Sequence, residues 1–408
     1  MNAVAPAAGT LSSGPIEAFD LSSYSQFPTP SIGFVSTYPP TECGLATFSS
    51  ALLNAIGEVR GSKDGLGVVS LVEEPLPGSG SEVELEHING DPVSVSRTIE
   101  VLNGFDVVAF EHEFGIYGGP DGAEILEIVA GVNVPTVVTL HTIPTKPTPN
   151  QQRILEALVT ETDQTIVMTN NAAERLKSRY AVKPEKIDII PHGATPKLAG
   201  PRLAPDVRPI ALTWGLIGPG KGLERAIRGF VGLKDLDPKP RYIILGRTHP
   251  KVRAAYGDSY LQGLMALVEE LGLGDIVEFD GRYMDFDSLI ETIRGVDMIL
   301  IPYDSKEQAT SGVLVEAIAA GKPVIATAFP HAVEILDTGA GFVVPHDDPE
   351  AMTSALRTLL TDSNAAARMG EIAESIGSTL FWPVVANSYE AMFAELTVDA
   401  IAPVARVS

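Results

Sequence analysis

Cysteine is almost absent: Cys43 is the single one in 408 residues, so no intramolecular disulfide can form and a reducing, cytoplasmic setting is expected. Long apolar runs are absent as well. No stretch reaches the roughly eighteen consecutive apolar residues that a membrane span requires, so no integral membrane segment is expected. Basic residues are scarce, with 29 Lys and Arg against 52 Asp and Glu and a net charge of −23. Such a surface repels nucleic acid and anionic lipid. A polymer-phosphate or membrane partner would need a local basic run, and there is none. Residues 1–30, rich in Ala, Ser and Pro, lack a basic start followed by an apolar stretch; they read as a disordered lead-in rather than a secretory signal.

What is present is globular: 45% of residues are hydrophobic and 20% charged, and the length predicts two or three domains. From Ile32 onward, strand-like runs alternate with helix-like ones, the pattern of repeated β-α-β units in an α/β fold with mainly parallel sheets. First-half strands are predicted at 32–36, 67–71, 107–110, 136–140, 165–168 and 187–190. The segment from Thr195 to Pro209 carries four prolines and reads as a linker. Second-half strands follow at 210–214, 242–245, 277–279, 298–301, 324–326 and 341–344. Two facing doubly wound, Rossmann-like domains are therefore expected, at 31–200 and 206–381, with a helix at 382–396 crossing back to complete the first.

In open parallel sheets, ligands bind outside the carboxyl ends of the strands. The segment Gln308 to Thr327, QATSGVLVEAIAAGKPVIAT, has that layout. Thr310, Ser311 and Gly312 can cap a helix or bring backbone close to a ligand, and Val313 and Leu314 begin an apolar helical face. Gly321 is the expected C-terminal cap. Glu316 stands among small apolar neighbours, where an unpartnered carboxylate is costly, so it should face a cleft that supplies donors.

Other strand ends hold further candidates. In IGFVSTYPPTECGLATF, Gly44 opens a helix whose amides favour an anionic group, although glycine also serves a plain turn there. The three spaced glycines of a dinucleotide fingerprint are missing. In WGLIGPGKG, Gly218, Gly220 and Lys221 shape a loop whose lysine could neutralise a diphosphate, though the spacing is not that of a Walker motif and Lys221 could equally be a solvated lysine. Arg247 in ILGRTHP is a second cation candidate. His112 in FEHEFGIYGG and His141 in VTLHTIP end neighbouring strands, and at least one is expected in the site. Glu111 and Glu113 should point to the face opposite His112, as structural or acceptor-side groups. No metal site is expected: the histidines are scattered, and N-capping explains Asp285 and Asp287.

With WGLIGPGKG, the QATSGVLVEAIAAGKPVIAT segment, ECGLATF and FWPVVANSYEAMFAEL on one chain, residues 31–396 resemble the retaining glycosyltransferases of family 4, which have the GT-B fold. The resemblance implies a nucleotide-sugar donor held by the second domain and an acceptor site on the first. It implies that Lys221 contacts the donor diphosphate, that Glu316 accepts from the ribose hydroxyls, and that His141 touches the transferred sugar. Gly44, Gly218, Gly220, Arg247 and the amides of Ser311, Gly312 and Val313 complete the expected donor site; His112 and Glu113 are expected on the acceptor side. Two residues depart from the family pattern. Leu216 stands where an arginine usually follows the loop's first glycine, so Arg247 is the expected substitute. Gln308, eight positions before Glu316, stands where a glutamate is common, and carries no charge.

The expected reaction moves a hexose from a nucleoside diphosphate to an acceptor hydroxyl with retention, using no cofactor and no metal. Two alternatives fit the same architecture, because fold does not fix function. One is a sugar phosphorylase or nucleotide-sugar epimerase, the other a non-catalytic sugar-nucleotide-binding protein.

Overall fold

The computed structural model describes residues 29–196, 208–282, 284 and 286–405. The expected lead-in and most of the expected linker lie outside them, as does Asp285.

Seven parallel strands form the first sheet: β1 (Ile32–Ser36), β2 (Leu66–Val72), β3 (Val83–Ile88), β4 (Val107–His112), β5 (Thr136–Leu140), β6 (Gln164–Val167) and β7 (Ile187–Ile189). Their spatial order is β3-β2-β1-β4-β5-β6-β7. Six make the second: β8 (Ile210–Trp214), β9 (Arg241–Leu245), β10 (Val277–Asp280), β11 (Met298–Ile301), β12 (Val324–Thr327) and β13 (Gly341–Val344), in the order β10-β9-β8-β11-β12-β13. Every pairing is parallel; Ile32 of β1, for example, lies between Leu66 of β2 and Val107 of β4. Helices cover both faces, which is why β1, β4, β5, β8 and β11 are buried along their whole length. This is the expected α/β architecture.

Alternation along each strand sends side chains to two cores per sheet. In the first sheet, Phe110, Val138 and Leu140 join Leu155 and Leu158 on one face. On the other, Phe34, Ala109 and Val137 pack under Phe48, Leu52 and Leu53 of the helix Gly44–Arg60. That second face is closed by the last helix, Trp382–Ala405, which contributes Trp382, Val385, Ala386, Tyr389 and Phe393. Each large side chain so buried contributes on the order of 2 kcal/mol. Arg60 adds a two-pronged pair with Glu390, at 2.9 and 2.8 Å. The helix runs nine residues past the expected Leu396. Among the described residues no helix is long and apolar enough to cross a membrane.

Two elements escaped the sequence reading. β3 reads VELEHI, an edge strand with carboxylates on its exposed side. The helix Ser363–Gly377 follows Pro349–Thr361 directly, both capped by an aspartate, Asp362 and Asp348. At the domain boundary the amide of Ala194 donates to the carbonyl of Leu380 (2.7 Å) and the amide of Trp382 to that of Ala194 (2.8 Å), so the entering and returning segments are bonded together.

Both sheets reverse their winding direction at one point, between β1 and β4 in the first and between β8 and β11 in the second. The crevice outside the strands' carboxyl ends at such a point is where open α/β sheets bind ligands.

Candidate active site between the two sheets

On the second sheet, the loop after β8 needs its glycines. Gly246, at φ 140°, lies so close to Gly215 that a Cβ on it would sit 2.0 Å from the Gly215 carbonyl oxygen. The chain then turns at Gly220 (φ 90°), whose carbonyl accepts from the amide of Asp304 at 2.9 Å. Lys221 stands next, its Nζ 4.3 Å from the centroid of the Tyr303 ring, a cation–π contact with the loop after β11. Gly218 departs from expectation: it is buried beneath the helix Pro250–Tyr256 with Val252 against it, so it serves packing while Gly220 is the open glycine.

The helix Gly312–Ala319 begins where the sequence placed it. Ser311 has extended backbone (φ −141°), and its hydroxyl accepts from the amide of Leu314 at 3.3 Å. Gly321 (φ 67°) follows the other end. One expectation is corrected here: the Ser311 amide is not open to a ligand, because it donates to Nδ1 of buried His331 at 2.9 Å. Gly312 and Val313 remain as the first helical amides, which have no intrahelical acceptor. Gly312 must lack a side chain because Nε2 of His192 would stand 2.9 Å from its Cβ. Glu316, one turn on, accepts from the amide of Thr195 at 3.3 and 3.4 Å. Those bonds are long, and burial pushes the carboxyl up to about 7. Gln308 donates from Nε2 to the carbonyl of Thr310 at 3.0 Å, which folds the loop onto itself.

On the first sheet, Cys43 caps the helix Gly44–Arg60, its Sγ 3.4 Å from the amide of Ala46 and 3.2 Å from Oγ1 of Thr37. Gly44 is exposed, with no atom within 4 Å of where a Cβ would be. Phe48, on the same helix, holds three rings: His141 at 4.8 Å and perpendicular, His192 at 5.0 Å and Trp382 at 5.3 Å. Nε2 of His141 is 2.6 Å from Oε2 of Glu111, a fully buried carboxylate. His192 donates from Nδ1 to the carbonyl of Gly193 at 2.7 Å, and burial pushes its imidazole down to about 4, leaving it neutral with Nε2 as an acceptor.

His112 does not reach the acceptor side. It is fully buried, packed edge-on by Phe114 and stacked on Tyr117, with neither ring nitrogen partnered; burial pushes it down to about 3. Alternation along β4 put Glu111 opposite His112, as read from the sequence, but the face toward the cleft is that of Glu111. Glu113 lies just beyond, its carboxylate accepting from the amide of Phe114 at 3.1 Å.

The domains meet around these groups. Arg247, the expected second cation, is paired with Glu42 of the loop before Gly44. Glu334 accepts from the amides of Asn170 and Asn171 at 2.8 and 2.9 Å, at the N-terminus of the helix Asn170–Arg179. Arg175 donates to the carbonyls of Ile143 and Glu307 at 2.8 and 2.9 Å. His192, His331, Thr195 and Glu42 were not singled out as site residues in the sequence, and Glu111 was read only as a structural or acceptor-side group. His192 and Gly193 follow β7 closely, and that strand-end position is the signal that could have found His192. Among the described residues no group of three His, Cys, Asp or Glu is arranged to hold a metal.

Two doubly wound parallel sheets, each reversing its winding at one point, make up the GT-B fold. Residues 82–198 match Glycosyltransferase Family 4 and residues 196–376 match Glycosyl transferases group 1, and the chain belongs to this glycosyltransferase family. A D-inositol 3-phosphate glycosyltransferase of Corynebacterium glutamicum is 26% identical over 83% of this chain and 84% of its own length. Its counterpart in Mycobacterium marinum is 29% identical over 64% of this chain and 58% of its own. Among solved structures, a sucrose-phosphate synthase from Thermosynechococcus elongatus superposes with a TM-score of 0.70 at 17% identity, covering 90% of this chain and 99% of its own. Anabaena HepE in complex with UDP gives 0.68 at 17%, covering 88% and 98%. At such identities the structures speak for the fold.

Proposed function

We propose that this protein transfers a hexose from a nucleoside-diphosphate sugar to a hydroxyl of a soluble, polyhydroxylated acceptor in the cytoplasm, with retention of configuration and without a metal. The observation that carries the reading is the N-terminus of the helix Gly312–Ala319. The amides of Gly312 and Val313 have no intrahelical acceptor there, with Glu316 one turn behind and His192 of the first domain against Gly312.

Glycosyl transfer passes through a cation-like sugar, so the site must stabilise the departing diphosphate rather than supply a strong nucleophile. The amides of Gly312 and Val313, the helix dipole and Lys221 serve that end. Glu316 accepts from the ribose hydroxyls and Gln308 bonds the sugar. The bond between the anomeric carbon and the phosphate oxygen breaks, a new one forms to the acceptor oxygen on the same face, and the acceptor proton passes to the leaving diphosphate. Solved relatives bind UDP, and the curated relatives named above act on an inositol phosphate. Both support a sugar nucleotide on one side and a polyol on the other.

The test is a melting-temperature screen with UDP-, GDP- and ADP-sugars, since a ligand that binds only the folded state raises the transition. The stabilising donor is then incubated with polyol acceptors, with and without chelator, and the anomeric coupling of the product is read by NMR. Absence of stabilisation by any donor, inversion, or loss of activity on chelation would each refute part of the reading.

A further inference from the structure

We propose that Glu111 is a positioning residue for His141, fixing the imidazole with its proton on Nε2 so that Nδ1 stands as a preset hydrogen-bond acceptor in the cleft. Oε2 of Glu111 lies 2.6 Å from Nε2 of His141. A carboxylate only accepts, so the nitrogen it faces carries the proton. Nδ1 has no partner among the described residues, and the side chain of His141 is 10% exposed while that of Glu111 is fully buried. The ring's plane is fixed independently by Phe48, perpendicular to it at 4.8 Å.

The carboxylate itself argues against a role in stability. Its second oxygen, Oε1, is buried with no partner, so among the described residues the hydrogen-bond partner of this carboxylate is His141. Burying a charged group with one partner is costly, and apolar replacements of such pairs are often neutral or stabilising. What the arrangement does provide is direction. Free imidazole exchanges between two tautomers, and a hydrogen bond to one nitrogen decides which function the other presents. Here the cleft receives an acceptor, which suits a sugar hydroxyl and rejects a group that can only accept. The kinetic part of this proposal rests on the glycosyl-transfer reading; the tautomer does not.

The first test is the intact wild-type protein labelled with 15N-histidine, read by long-range 1H–15N correlation, with His141 assigned by its loss in H141Q. A protonated Nε2 and a bare Nδ1 are expected; a protonated Nδ1 overturns the proposal whether or not transfer is ever detected. The second test is Glu111→Gln, checked for an unchanged melting transition. A mixed or inverted tautomer and a kcat lowered about 10- to 100-fold, with little change in donor KM, are expected. In a His141→Gln background the same substitution should have no further effect, because Glu111 acts through that ring. An E111Q enzyme with the wild-type tautomer and rate, or a further loss in the double variant, overturns it.

Discussion

On the proposed reading, in which Glu316 accepts from the donor's ribose, donor affinity should depend on pH. Burial holds the Glu316 carboxyl near 7 instead of the ordinary 4.5. A raised carboxyl binds its proton more tightly folded than unfolded. Its contribution to stability is therefore full below about 4.5 and lost as pH climbs through 7, a difference of about 3 kcal/mol. Hydroxyls of a ribose donate to the ionised form, so donor binding must first remove that proton. With half the population protonated at pH 7, binding should release about half a proton per donor, and affinity at pH 6 should be about tenfold weaker than at pH 8. Titration calorimetry in buffers of different ionisation enthalpy measures both quantities. Glu316→Gln should flatten the pH dependence and raise stability at pH 8 while leaving it unchanged at pH 4. A wild-type affinity independent of pH between 6 and 8, or the same slope in the Gln variant, would refute the reasoning.

Lys221→Ala should weaken donor binding by about 1.5–3 kcal/mol, the range for a charged hydrogen bond, with little change in the melting temperature of the free protein; calorimetry checks both. Arg247→Ala should weaken donor binding a few-fold, at a stability cost below about 1 kcal/mol because its pair with Glu42 is well exposed; an unchanged donor affinity by calorimetry would show that Arg247 does not serve the donor. His112, His192 and His331 are held neutral by burial, near 3, 4 and 3, so the stability they give is present above 6.5 and lost as pH falls toward 4. His112→Phe should make urea midpoints fall less steeply between pH 6.5 and 5 and gain about 1–3 kcal/mol at neutral pH by removing two unpartnered nitrogens. Gly312→Ala forces a Cβ to 2.9 Å from Nε2 of His192 and should cut transfer strongly with the fold retained, as circular dichroism would show.

Most of the architecture could be read from the chain because parallel strands buried on both faces announce themselves as apolar runs; β1, β5, β8, β11 and β13 fall where the sequence placed them. β3 was invisible for the opposite reason, since an edge strand carrying Glu84 and Glu86 lacks that signal. The helix Gly312–Ala319 was legible from its cap, its apolar spacing and Gly321. The partners of its residues were not. The bond from Ser311 to His331 spans twenty positions, and that from Thr195 to Glu316 spans 121. Such pairings are set by how two sheets dock, which no local periodicity encodes. His112 shows the remaining limit: its strand-end position was clear, but which face of β4 looked into the cleft depended on where the Gly44–Arg60 and Trp382–Ala405 helices lie.

The return of the Trp382–Ala405 helix to the first sheet has a consequence for biosynthesis. While a ribosome makes this protein, the first sheet's strands are complete by Ile189, yet the side chains that cover one of its faces, Trp382 through Phe393, emerge only after the entire second sheet. Phe34, Phe48 and Leu52 therefore spend most of synthesis partly uncovered, and the domain begun first is the one finished last.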